Sequence, residues 1–162
     1  MPNWCEGPLK VRGTREDIKR FLTEGLEAIN SHAAIHAFLG NDVTPHQVHI
    51  TVDEFDMTLK AEEGFYIKGT SRAIIEGPIV YDFLDSEIET LTIECFKQAW
   101  DIQANEFAKI SKMYNIDIRI YGFERGMEFN REIEIHKGEI IKNTEIAFDD
   151  YEWECPFPNM GG

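Results

Sequence analysis

Cysteine is scarce in this chain, with three residues in 162, at Cys5, Cys95 and Cys155. The odd count and wide spacing argue against a disulfide framework, and the absence of any Cys-x-x-Cys pair excludes a zinc ribbon. Long apolar runs are missing, so no stretch is long enough to span a bilayer as a helix. Nothing after Pro2 resembles a basic n-region followed by an apolar h-region, so no secretory signal is expected and the cytoplasm is the expected compartment. Glycines never fall in a phosphate-binding spacing. There is no Walker A motif, no dinucleotide fingerprint and no Gly-x-Ser-x-Gly elbow, and no cofactor is expected. Positive charge is also short: 16 Lys and Arg stand against 30 Asp and Glu, a net charge of −14. A duplex-binding protein needs a basic face to displace counterions, so nucleic acid is not the expected partner. The acid is spread along the whole chain. Diffuse acidity keeps a protein soluble, and the sharper reading is a surface that imitates nucleic acid towards a basic protein.

What is present suffices for a folded core. Apolar residues make up 43% and aromatics 12%, well outside disordered compositions. The length predicts one domain over residues 1–148, followed by an acidic, aromatic tail over 149–162.

Leu9 and Val11 alternate with Lys10 and Arg12, which predicts a half-buried first strand ended by Gly13. Thr14 is a good N-cap with Asp17 three residues on, and Ile18, Phe21, Leu22, Leu26 and Ile29 recur at helical spacing. The pattern predicts a first helix over 14–30. Residues 31–62 carry the breakers Gly40, Asn41 and Pro45 and read as an irregular insertion, with an edge strand around Val48, Ile50 and Val52. Residues 65–70 and parts of 73–84 read as short strands, and Leu91, Ile93 and Cys95 as another. A second helix follows, capped by Asp101, with a stripe of Ala104, Phe107, Ala108, Ile110 and Tyr114 and a stop at Asn115. Ile116, Ile118 and Ile120 alternate as a last core strand. Residues 128–146 read as a β-hairpin around Lys137-Gly138. This order predicts an α+β fold: a split βαβ antiparallel sheet with two helices on one face, widened by the C-terminal hairpin.

Three segments stand out together: Pro2-Asn3-Trp4-Cys5 before the first strand, Ala99-Trp100 before the second helix, and Tyr121-Gly122-Phe123-Glu124-Arg125-Gly126-Met127-Glu128-Phe129 after the last core strand. In combination they resemble the YubB-like proteins of phages, prophages and plasmids. The chain departs from that pattern where Glu6 and Gly7 replace an Asn and where Asp101-Ile102 replaces Ser-Pro. The resemblance implies a ferredoxin-like sheet and a mobile-element origin, and it implies no activity, because this fold hosts many.

Candidate chemistry is sparse. Cys5 has no local His or helix N-terminus to lower its pKa and reads as a small core residue. His32, His36, His46 and His49 lie close in sequence, yet match no ligand motif such as His-Glu-x-x-His, so no metal is expected. Glu132 and Glu134 read as a solvated strand face that guards an edge. Asn3, Trp4, Cys5, Trp100, Tyr121, Glu124, Gly126 and Phe129 are the expected surface for a ligand or partner, gathered at one end of the sheet. The leading expectation is a non-enzymatic module that binds a host or phage protein. The alternatives are a small enzyme or ligand binder in a pocket near Trp4, Cys5, Trp100 and Glu124, and a single-stranded nucleic-acid binder on the sheet face.

Overall fold

A computed structural model describes residues 2–40 and 44–162; the expected breaker Asn41 lies outside them. The elements are, in chain order, β1 (Trp4–Gly13), α1 (Arg15–Glu24), β2 (Leu26–Ala28), α2 (Ala33–Phe38), β3 (His49–Val52), β4 (Asp56–Lys60), β5 (Phe65–Ile67), β6 (Ala73–Ile75), β7 (Ile79–Asp82), β8 (Glu89–Ala99), α3 (Ala104–Tyr114), β9 (Asp117–Glu124), β10 (Phe129–His136), β11 (Glu139–Ala147) and α4 (Tyr151–Glu154).

This is not the small ferredoxin-like α+β fold expected from the sequence. The strands form an eight-stranded sheet, ordered β11-β10-β9-β1-β8-β6-β5-β2, and a separate three-stranded sheet, β3-β4-β7. All their pairings are antiparallel. The physical reason is that segments read as loop or helix find strand partners. Leu26–Ala28 pairs with β5 instead of extending α1, because Gly25 ends that helix and its N–H donates to the Phe21 carbonyl. The expected irregular insertion supplies α2, β3 and β4, and β3 and β4 build most of the second sheet.

One face of the large sheet carries the core. Cys5, Leu9 and Val11 of β1 are fully buried with Ile18, Phe21 and Leu22 of α1. Phe21 meets Tyr114 edge-on at 5.6 Å, and Phe96 meets Phe107 at 5.7 Å, so α1 and α3 both pack on this side. Met57, Leu59, Ile79 and Tyr81 of the small sheet join the same core. Thr14 caps α1 by accepting from the Asp17 N–H at 3.2 Å. The expected cap at Asp101 is displaced: Gln103 occupies the N-cap of α3, and Asp101 forms a two-point ion pair with Arg131 at 2.9 and 2.6 Å. Asn115 ends α3 in the left-handed region with φ 57°.

The opposite face is open except where the tail crosses it. Glu6 pairs with Phe123 and Asn130 with Phe123, which places these side chains on the open side with Trp4. Tyr151 and Cys155 bury themselves on Phe123, and the Tyr151 hydroxyl donates to Asn130 at 3.1 Å. The chain then returns to β1: the Gly161 N–H donates to Glu6 at 2.7 Å and the Gly162 N–H to the Trp4 carbonyl at 2.9 Å. The tail is thus a docked element. Among the described residues no helix is long and apolar enough to cross a membrane.

Candidate functional site

The end of the sheet where β1 begins gathers most of the expected site residues, but as structure. The Trp100 N–H donates to the Asn3 carbonyl at 2.8 Å, and Trp100 takes a left-handed φ of 71° with its ring exposed. Glu124 is fully buried and accepts from the Gly126 N–H at 3.0 Å and from the Met127 N–H, which fastens the turn between β9 and β10. A Cβ on Gly126 would run into the Asn3 carboxamide, so glycine lets the two segments touch. Tyr121 leans on Phe123 at 5.1 Å, and its hydroxyl accepts from Asn130. Phe129 is half-buried beneath the Arg131 guanidinium, at 5.6 Å.

Cys5 and Trp4 point to opposite faces of β1, so the expected pocket shared by Trp4, Cys5, Trp100 and Glu124 does not form as one surface. The Cys5 thiol is pushed up by burial and by the charges of Asp101 and Glu124, the reverse of what a nucleophile needs. Among the described residues no three His, Cys, Asp or Glu side chains converge as metal ligands. His46 lies beside Glu62 at 3.3 Å, while His32 and His36 meet edge-on.

The feature that the sequence reading missed lies on the open face beside Trp4. A groove of about 680 Å³ is lined by Trp4, Tyr66, Arg72, Ile74, Glu27 and His46, among others. Strand alternation builds it. In β5, Phe65 and Ile67 face the core and Tyr66 faces out; in β6, Ala73 and Ile75 face the core and Ile74 faces out. A strand that is apolar on both sides was the available signal, since a solvated face favours polar residues. Arg72 stands just before β6 with φ 58°, and its guanidinium lies over the Trp4 ring at 5.7 Å. Lys97 approaches the same ring at 4.9 Å and pairs with Glu76 at 2.5 Å. Among the described residues the Arg72 guanidinium has neither ion pair nor hydrogen bond. An aromatic floor with an uncompensated cation suits an apolar group that carries an anion.

The polar rim is arranged for holding. The Ser31 hydroxyl and N–H both donate to Glu63, which holds that carboxyl below the usual range. His46 Nδ1 sits 3.2 Å from the Ile29 carbonyl. An activated serine would instead share its hydroxyl proton with the imidazole. Two other cations of the open face are matched by carboxylates, Arg12 with Asp117 at 2.7 Å and Arg119 with Glu132 at 3.2 Å, while Lys10 beside them has no ion pair among the described residues. No protein-family model, no curated protein and no solved structure matches the chain.

Proposed function

We propose that this chain is a YubB-like, mobile-element-borne protein that works by binding, without chemistry, a host or phage protein in the host cytoplasm. The observation that carries this reading is the groove beside Trp4. It combines a half-buried aromatic and aliphatic floor with the Arg72 guanidinium, which has no ion pair among the described residues. The acids near the sheet end are committed to the fold, as Glu124 is to its turn, and Cys5 is a packed thiol. The groove therefore replaces the sheet-end cluster as the recognition surface. Aromatic anchors and Arg are the side chains that dominate binding energy at protein interfaces. The carboxylate partners of Arg12, Arg119 and Lys97 weigh against a phosphate backbone as the ligand.

Affinity capture from host lysate tests the proposal, with wild type beside Tyr66→Ala and Arg72→Glu. Wild type should retain a defined protein at low salt and release it as salt rises. Both variants should lose it. Recovery of no protein at low salt, or equal recovery by all three chains, would sink the reading.

A further inference from the structure

Trp153 is 86% exposed and stands between Glu152 and Glu154 on α4. Its scaffold is firm. Tyr151 and Cys155 on either side are buried, and Asp150 caps the turn by accepting from the Trp153 N–H at 3.2 Å. Glu154 is engaged locally, accepting from the Asp149 N–H at 3.1 Å and the Asp150 N–H at 3.4 Å. Glu152 has no such partner among the described residues. The fold thus presents one large apolar ring beside a carboxylate that shares a shallow pocket with Arg125 but forms no ion pair among the described residues.

The groove presents the complement: the apolar Trp4, Tyr66 and Ile74 beside the uncommitted Arg72 guanidinium. Both features lie on the open face of the same sheet. Alpha4 is anchored on Phe123 and Asn130, whose side chains share the face of Glu6 and Trp4. Two copies laid face to face about a two-fold axis therefore satisfy both features at once, and such an arrangement closes on itself. We infer that a second copy of this chain occupies the groove. Trp153 of each copy lies over the Trp4, Tyr66 and Ile74 floor of the other, and Glu152 pairs with Arg72. Of the other charged groups in or beside the groove, Lys97 is neutralised by Glu76 and His46 faces Glu62. Glu27 in the groove and Glu63 at its rim are carboxylates that oppose the incoming acidic turn, which leaves Arg72 as the place for Glu152. The inference rests on the groove being the recognition surface. It makes the dimer the state from which a foreign partner must displace α4.

Sedimentation equilibrium of the full chain tests it, with Trp153 emission as a second signal. Wild type should be a dimer at moderate salt, where screening relieves the repulsion between two copies of net charge −14. Trp153→Ala and Arg72→Glu should each weaken association by roughly tenfold or more. The reversed pair, Glu152→Arg with Arg72→Glu, should restore it. All the substituted side chains are solvent-exposed, and unchanged thermal melting checks that the variants are folded. A monomeric wild type, or a dimer indifferent to Trp153→Ala, overturns the inference. A dimer that both single changes weaken and the reversed pair does not restore overturns it too. A monomeric wild type that still captures its host partner through Arg72 would sink this inference and leave the binding function standing.

Discussion

At the scale of single residues, the charged side chains that matter most to the fold are buried acids rather than the abundant surface ones. Glu89 is almost completely buried at the start of β8. Burial alone would raise its pKa, but hydrogen bonds from Arg15 at 2.8 Å and from the Tyr81 hydroxyl outweigh it, and the carboxyl is held below its ordinary value. A depressed folded-state pKa adds stability that is complete above the unfolded value, about 4.3, and is lost as pH falls through the folded value. Unfolding free energy measured by urea titration should therefore decline on acidification below about pH 4.3. Glu89→Gln should flatten part of that decline relative to wild type. Near neutral pH the same variant should cost about 1–3 kcal/mol, because the buried Tyr81 hydroxyl and its neighbours lose a charged acceptor. Equal acid sensitivity in the two proteins would contradict this account. Glu63 and Glu132 are also held low, by Ser31 and by Lys142 and Arg119, and they contribute with the same sign.

At the scale of elements, close contact between strands decides what the sequence pattern leaves open. The β1–β8 register shifts between Gly7 and Leu9, and a Cβ on Gly7 would meet the Tyr121 carbonyl of β9. The neighbour is backbone, which cannot swing aside. Gly7→Ala should cost about 1–3 kcal/mol, the usual penalty of overpacking, read as a lower denaturation midpoint with an unchanged slope. An unaffected midpoint would show that the strands part freely there. The same scale explains what could be read from sequence. The alternation of β1 and β9 and the Lys137-Gly138 hairpin were legible from their two-residue period and turn residues, whereas in β8 the period holds for Leu91 and Ile93 and then breaks, leaving Cys95 exposed and Phe96 buried beside the register shift at Gly7. Beta2, β5 and β6 are only three residues each. So short a run carries too little periodicity, and its pairing is set by distant partners. The groove stayed hidden for that reason: it is built from the outward residues of those short strands. The family-like segments meet at the end of the sheet that holds Trp4, where Asn3, Glu124 and Gly126 are the fastenings of a turn.

At the scale of the whole molecule, the tail converts an open sheet face into two regions, one covered and one free. The covered region depends on a small buried network in which the Tyr151 hydroxyl donates to Asn130 beside Cys155. Tyr151→Phe removes the donor and keeps the ring, so it should cost about 1 kcal/mol. Tyr151→Ala should cost several times more, because it also uncovers Phe123. Thermal melts of the two variants separate the contributions, and equal losses would mean that the hydroxyl alone holds the tail.

The return of the tail to β1 has a practical side. With Gly162 bonded to the Trp4 carbonyl and Gly161 to Glu6, the tail closes beside Trp4, a residue of the groove. A fluorescent label attached after Gly162 would therefore start next to Trp4 and crowd whatever enters the groove. The Lys137-Gly138 turn, where His136 pairs with Asp117 and Asp117 with Arg12 at the far end of β1, is the place for a label that leaves the groove clear.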